Sequence, residues 1–335
     1  MNIGMTFDLK DAYLSRGFSL EESAEFDSAI TIETIESVLK GLGHSVDRIG
    51  AVDRLVSRLA DGDRWDMVFN IAEGMFGPGR EAQVPALLDA WNIPYTFSGP
   101  DLLALSLNKG WTNAVVRSLG VPTADFVVVH SSADIYNVDL PFPLFAKPVA
   151  EGTSKGICAR SVVHNGPELK DICEDLLERF QQPVLVETYL PGREFTVGII
   201  GDHERAHSVG VMEVKACGLG DTGAYTYENK QVWQDRVKYS LADDADARAA
   251  GTLAVVAWKG LGYLDAGRVD VRMDARGLPC FIEVNPLPGL NPQSSDLPIL
   301  YKLGGGSFEQ LITSIQGYAE TRAIKRAGSR GKRVA

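Results

Sequence analysis

The strongest constraint on the fold of this 335-residue chain lies in the segment from 266 to 285. Apolar and charged residues alternate along 266–273, which predicts a strand with one buried and one polar face. A turn signal at 274–277 follows, and residues 280–285 alternate again. The sequence therefore predicts an antiparallel hairpin. Its polar face carries Arg268, Asp270, Arg272, Glu283 and Asn285.

The chemistry of this hairpin depends on its register. A turn centred on 276–277 places Asp270 opposite Glu283 and Arg268 opposite Asn285. Two facing carboxylates are unfavourable unless a proton or a cation lies between them. Carboxylate and amide oxygens suit Mg²⁺ held together with substrate phosphates. Alternatively, the arginines on this face simply pair with the acids, and the residues alone leave both interpretations open.

Composition excludes several classes of function. The chain has 33 Lys and Arg against 44 Asp and Glu, a formal net charge of −11, which argues against nucleic acid or an anionic membrane as a partner. No stretch approaches the roughly 20 apolar residues of a membrane span, and no signal peptide is apparent. The four cysteines lack metal-ligand spacing. We therefore expect a cytoplasmic protein.

Strand and helix patterns alternate along the chain, which predicts an α/β fold with α+β parts. We expect an N-terminal open parallel sheet in residues 1–98, two further units at 99–188 and 189–322, and a solvated basic tail at 323–335. The predicted helices are 21–42, 81–91, 102–119 and 243–261. The predicted strands outside the hairpin are 2–8, 66–70, 126–129, 144–147, 194–200 and 209–214.

A second candidate site follows the strand that ends at Lys147. Residues 151–156 are rich in glycine and hydroxyl groups, so their amides can converge on a phosphate. Lys147 and Lys109 supply positive charge nearby, although a plain turn with two surface lysines would look the same. The match to G-x-G-x-x-G at 218–223 opens no helix, and no P-loop sequence is present.

The order of these segments resembles the ATP-grasp ligases, and among them the D-alanine–D-alanine ligase family. The resemblance covers about residues 66–320 and implies three domains, with ATP bound between two α+β domains. It implies that Asp270, Glu283 and Asn285 hold Mg²⁺, with Mn²⁺ as the alternative ion. The nucleotide residues that it implies are Lys109, Lys147, Glu151, Thr153, Glu187, Tyr189, Leu190, Glu194 and Lys230.

The same resemblance implies the reaction. ATP phosphorylates one amino-acid carboxylate, and the amine of a second amino acid attacks the acyl phosphate through a tetrahedral oxyanion. Arg268 and the Gly289 backbone would stabilise that oxyanion, and Arg268 with Ser294 would bind the acceptor carboxylate. Ser154 in the phosphate loop and Glu25 at the donor site complete the implied catalytic set. A lid near 215–240, a homodimer and a place in peptidoglycan biosynthesis are also implied.

The departures from the family pattern concentrate at the donor site. Thr153 replaces a serine, Gln231 replaces a tyrosine after the lid lysine, and Glu73 stands in place of a histidine. Glu25 is the candidate for the family's acidic residue at the donor site, but Asp27 or Glu22 would align almost as well. We therefore expect a ligase of the same reaction type, with either D-alanine or a different donor substrate. A ligase of natural-product peptide assembly and a catalytically silent nucleotide-binding protein remain the alternatives.

Overall fold

A computed structural model describes residues 1–216 and 237–331. The predicted lid residues Lys230 and Gln231 lie outside this range. Three sheets are present in the described part, and the parallel, N-terminal one is the open sheet that the strand and helix pattern predicts. Among the described residues, no helix combines the length and apolar character needed to cross a bilayer.

The N-terminal sheet has three parallel strands in the order β2-β1-β3. The strands are β1 (Asn2–Phe7), β2 (Ser45–Gly50) and β3 (Met67–Ile71). The helices are α1 (Lys10–Leu14), α2 (Ala29–Gly41), α3 (Val52–Ala60), α4 (Gln83–Ala90) and α5 (Pro100–Leu107). β3 is buried along its whole length, as expected for a parallel strand covered on both faces.

The middle sheet is antiparallel, in the order β4-β7-β5-β6. Its strands are β4 (Phe126–Val129), β5 (Leu144–Pro148), β6 (Val162–Val163) and β7 (Val184–Thr188). The accompanying helices are α6 (Lys109–Ser118) and α7 (Gly166–Phe180). α7 covers one face of the sheet through Leu169, Ile172 and Leu176. The other face is therefore free to line a site.

The third sheet has five antiparallel strands in the order β10-β9-β8-β11-β12. These are β8 (Glu194–Ile200), β9 (His207–Ala216), β10 (Val237–Leu241), β11 (Ala266–Met273) and β12 (Pro279–Asn285). The helices are α8 (Ala245–Leu261), α9 (Asp296–Leu303) and α10 (Phe308–Gly331). α8 packs Trp258 and its apolar neighbours against Val269 and Val271 of β11, which leaves the charged face of the hairpin on the opposite side.

Two predicted helices are wrong in ways that bear on the site. The helix expected at 21–42 begins only at Ala29, because residues 19–27 fold into turns anchored by backbone hydrogen bonds to Asp8 and Lys10. The helix expected at 102–119 is divided at Asn108. That residue is extended (φ −91°, ψ 98°) and caps α6 by accepting a hydrogen bond from the Trp111 amide.

The C-terminal segment also differs from the expectation of a solvated tail starting at 323. α10 continues to Gly331. Arg322 pairs with Asp265, which is fully buried, and donates to the carbonyl oxygen of Tyr95 at 3.0 Å. Arg326 lies 3.4 Å from Asp89. These basic side chains therefore fasten the last helix to the N-terminal unit.

Candidate functional site

The hairpin has the predicted register at its charged end. Asp270 pairs with Glu283 and Arg268 with Asn285, while Val269 and the other apolar side chains of β11 are buried. A bulge after Asp270 shifts the pairing by one residue towards the turn. The two carboxylates and the amide therefore share one face, as the alternation predicts.

A first cavity of about 970 Å³ lies between the middle sheet and the five-stranded sheet. Lys147 and Glu187 form a buried ion pair inside it, with 2.7 Å between Nζ and the carboxylate. Asn113 donates to the other oxygen of Glu187 at 3.0 Å. Burial lowers the pKa of Lys147, but the charges of Glu187 and neighbouring acids outweigh this and raise it. Lys147 is therefore a fixed positive charge within the cavity.

Lys109 owes its position to the helix break before it. As the first residue of α6, it directs Nζ to the Glu151 carbonyl at 2.6 Å and to the Glu283 carboxylate at 3.4 Å. It lines the first cavity and a second, adjoining one. The predicted pair of lysines therefore converges on one space, while the sequence left open that they were unrelated surface residues.

Tyr189, Leu190 and Glu194, which the family resemblance assigns to the nucleotide, line the wall of the first cavity. Glu194 pairs with Arg272 at 3.1 Å, and that guanidinium lies over the Tyr189 ring, 5.3 Å from its centroid. The Tyr189 amide donates to the Pro143 carbonyl at 3.0 Å. At this position the Tyr189 backbone therefore has only its carbonyl to offer a ligand.

The phosphate loop, residues 151–156, runs along the boundary between the two cavities. Thr153 and Ser154 both have positive φ, 48° and 59°, in the left-handed region that non-glycine residues seldom adopt. The Thr153 hydroxyl oxygen is buried and has no partner among the described residues. Strained backbone and an unpaired buried hydroxyl together are what a loop that holds a ligand is expected to show.

The donor set at the hairpin fits a hard divalent cation. Burial, together with Glu283 and Asp296, outweighs the nearby Arg268 charge and raises the pKa of Asp270 to about 7. For Glu283, the charges of Lys109 and Arg268 outweigh burial and hold the pKa below its ordinary range. Among the described residues no three acidic, His or Cys side chains form a metal cluster, so a metal would need the Asn285 amide as its third ligand.

The alternative left open by the sequence is also visible here. The Arg268 guanidinium donates to both oxygens of Asp270, at 2.8 and 3.1 Å, and pairs with Asp296 at 3.0 Å. The sequence did not predict a role for Asp296. Its place in the first turn of α9, just after the loop 286–295 with its three prolines, is nevertheless a usable signal. Thr196, which donates to Asp270 at 2.8 Å, had no such signal.

The second cavity, of about 1710 Å³, brings the predicted acceptor residues together. Gly289 lies where an added Cβ would come within 2.8 Å of the Ser295 hydroxyl oxygen, so a larger residue would displace that hydroxyl from the Asn291 amide. Ser294 is exposed at the cavity wall. Arg268 lines both cavities. Like Lys109, Thr153 and Glu283, it can therefore act on a group passing between them.

Two of the three candidate acids face the second cavity. Glu25 and Asp27 both line it, whereas Glu22 is exposed and bonded to Ser19. Glu25 does not have a free carboxylate. It pairs with Arg80 at 2.8 Å and with Lys155 at 3.1 Å, and burial is outweighed by these charges, which lower its pKa to about 2.

Three further acids, Asp27, Glu73 and Glu81, line the second cavity together with Glu25. Burial raises the pKa of Asp27 to about 7 and, assisted by Glu25, that of Glu81 to about 7. Burial together with Glu81 and Glu25 raises the pKa of Glu73 well above its ordinary value. In the described part of the chain, the carboxylates of Glu73 and Glu81 show no hydrogen bond or ion pair.

The sequence is similar to those of known proteins. The family model "D-ala D-ala ligase C-terminus" matches residues 115–316. A D-alanine–D-alanine ligase from Aquifex aeolicus (strain VF5) is 32% identical over 286 residues, which cover 85% of this chain and 93% of that protein.

Two solved structures share the fold. The D-alanine–D-alanine ligase from Bacillus anthracis complexed with ATP superposes with a TM-score of 0.72 at 19% identity and covers 97% of this chain and 99% of its own. The VanG D-Ala:D-Ser ligase from Enterococcus faecalis does so with a TM-score of 0.72 at 20% identity, covering 95% of this chain and 99% of its own. At these identities the likeness establishes the fold.

Proposed function

The chain belongs to the D-alanine–D-alanine ligase family, and we propose that it joins two amino acids with a donor site that is not built for D-alanine. As a member of the family it is an ATP-dependent ligase that forms a carbon–nitrogen bond. The observation that carries the proposal is the pair of adjoining cavities that share Lys109, Arg268 and the phosphate loop.

The first cavity would hold ATP, with its phosphates between Lys109, Lys147 and the amides of the loop. These charges fix the terminal phosphate in line with a carboxylate in the second cavity, so that positioning and charge neutralisation carry the rate. Asp270, Glu283 and Asn285 would hold Mg²⁺ or Mn²⁺. When bound, such an ion withdraws charge from the phosphates.

The acceptor half of the second cavity follows the family pattern. Arg268 would lie against the oxyanion and the acceptor carboxylate, with Ser294 as a second donor to that carboxylate and the Gly289 backbone beside the oxyanion. For Arg268 to do so, its ion pairs with Asp270 and Asp296 must weaken when the ligands bring their own charges into the site. A metal ion at Asp270 would provide such an exchange of partners.

The donor half is where this chain differs. Glu25 accepts from three donors already, whereas Glu73 and Glu81 face the cavity without partners in the described part of the chain. A cation beside Glu73 and Glu81 would lower their raised pKa values and form ion pairs with them, so these groups favour a donor that brings additional positive charge. The donor is therefore proposed to carry a cationic side chain or a differently placed ammonium group.

The test is ADP release, with product masses, over a panel of amino acids. The panel should include D-alanine, D-serine, D-2-aminobutyrate, D-ornithine, and the L-enantiomers of each. We expect mixed or cationic dipeptides to be favoured over the D-alanine homodipeptide. Full activity with D-alanine alone would contradict the altered donor site, and no ADP release with any amino acid would favour the silent nucleotide-binding protein.

We also propose that the protein is a cytoplasmic homodimer with small-molecule substrates, as the family resemblance implies. Sedimentation of the purified chain at two concentrations tests the homodimer. A monomer at both concentrations would contradict the dimer.

A further inference from the structure

Three buried charged side chains connect the N-terminal unit to the phosphate loop. They belong to Arg80, Glu25 and Lys155, and we call them the loop clamp. Their side chains are 10%, 9% and 9% exposed, so the whole series is nearly withdrawn from water. Arg80 and Glu25 come from the N-terminal unit, and Lys155 belongs to the loop. Charges so placed must be paired to be tolerated.

The loop clamp holds the loop at several points. Glu25 accepts from the Gly152 amide at 2.9 Å with the same oxygen that pairs with Lys155. Arg80 donates to the Ala150 carbonyl at 3.1 Å while pairing with the other oxygen of Glu25. Lys155 reaches back to Glu151 at 2.6 Å. The fit is close, since an added Cβ at Gly152 would lie 2.8 Å from a Glu25 oxygen.

These contacts explain what Glu25 does with its carboxylate. All of its hydrogen bonds and ion pairs in the described chain go to the loop or to Arg80, which itself holds the loop backbone. Arg80 lines the second cavity and not the first. Its effect on a nucleotide in the first cavity must therefore pass through the loop.

We propose that Arg80 and Lys155 are positioning residues that, through Glu25, hold the phosphate loop closed over ATP. The proposal rests on the proposed function only in taking the first cavity as the ATP site. It gives the N-terminal unit a share in nucleotide affinity, exerted through the loop. The substrate cavity and the nucleotide cavity are then linked by the same three side chains.

The test is ATP binding to the full chain by calorimetry, without amino acids, in Arg80→Met, Lys155→Met and the double variant. Each single variant leaves Glu25 one cation. We expect a loss of about tenfold in affinity for each, because a charge-assisted hydrogen bond contributes on that order. The double variant leaves Glu25 without a cation. Its loss of ATP affinity should exceed the product of the two single losses. Arg179→Met, at an exposed ion pair away from both cavities, is the control.

A second measurement separates positioning from direct charge or general damage. Hydrogen exchange of the peptide spanning 150–157 should quicken in Arg80→Met while peptides of the five-stranded sheet stay unchanged. Lys155→Arg and Arg80→Lys should restore most of the affinity. Unchanged affinity in both single variants, or weaker binding without faster loop exchange, would overturn the proposal. If the wild type binds ATP but makes no dipeptide, the proposed function fails while this test still stands.

Discussion

The buried pair of Lys147 and Glu187 allows a quantitative prediction. The side chains are 5% and 6% exposed and 2.7 Å apart. At an effective dielectric of about 20, two unit charges at that distance interact by about 6 kcal/mol. Part of this offsets the cost of burying both charges. Lys147→Met removes the attraction and leaves the Glu187 charge with only the Asn113 amide, so we expect a loss of about 3–5 kcal/mol in unfolding free energy.

The assay is urea unfolding without nucleotide, followed by tryptophan fluorescence, for a double-mutant cycle. Glu187→Met should also destabilise the protein, and the double variant should recover much of the loss because neither charge is stranded. Lys170→Met with Glu174→Met is the matched control. That pair is as close, at 2.6 Å, but is 44% and 39% exposed, so solvent screens it and little coupling is expected.

Strictly additive effects at Lys147 and Glu187 would refute the reasoning, because they would mean that the two charges do not stabilise each other. So would a cost below about 1 kcal/mol for Lys147→Met, the range of a solvent-exposed pair. The same variant should raise the KM for ATP. That result separates a lysine that only stabilises the fold from one that also faces the phosphates.

Three further predictions concern other groups. Asp270→Asn should abolish amino-acid-dependent ADP release while circular dichroism shows a folded protein, and EDTA should weaken ATP binding in the wild type but much less in this variant. Asp27 has its pKa raised to about 7, so its contribution is fully present below about pH 4 and is lost as the pH rises through 7. Relative to the wild type, Asp27→Asn should therefore gain on the order of 4 kcal/mol of unfolding free energy between pH 4 and pH 8, measured by urea unfolding; a constant difference from pH 4 to 8 would contradict this. Asp265→Ala should lower the melting temperature by several degrees, because Arg322 and the Phe97 amide lose a buried acceptor; an unchanged melting temperature would contradict it.

The hairpin shows how a correct prediction can rest on an incomplete argument. The pairing of Asp270 with Glu283 was derived from a turn centred on 276–277. The observed turn is closed by hydrogen bonds between Asp274 and Leu278, half a residue away, and the bulge after Asp270 restores the expected register. Alternation determines which face is polar, but a bulge of one residue leaves no clear mark in the sequence.

The nucleotide side was more predictable than the donor side for a physical reason. Lys109, Lys147 and Glu187 belong to or adjoin regular elements, so periodicity places them. The loop clamp joins Gly152 to Glu25, 127 positions earlier. Glu25 lies in turns whose residue pattern predicts the start of a helix, whereas the helix begins at Ala29. Contacts between two loops depend on tertiary packing, which residue patterns do not encode locally.

The placement of charge also explains why an acidic protein suits a polyanionic substrate. The chain carries a net charge of −11, yet its buried cations surround the two cavities. Lys109, Lys147 and Arg268 each lie against a carboxylate of the chain. Such pairing keeps the cations in place without ligand, and phosphates must compete with acids for them. We expect bare ATP to leave Asp270 and Glu283 repelling its phosphates, whereas ATP with the divalent cation proposed at these residues would satisfy both sets of charges. Selection for the metal complex would then follow from the same carboxylates that hold the lysines in place.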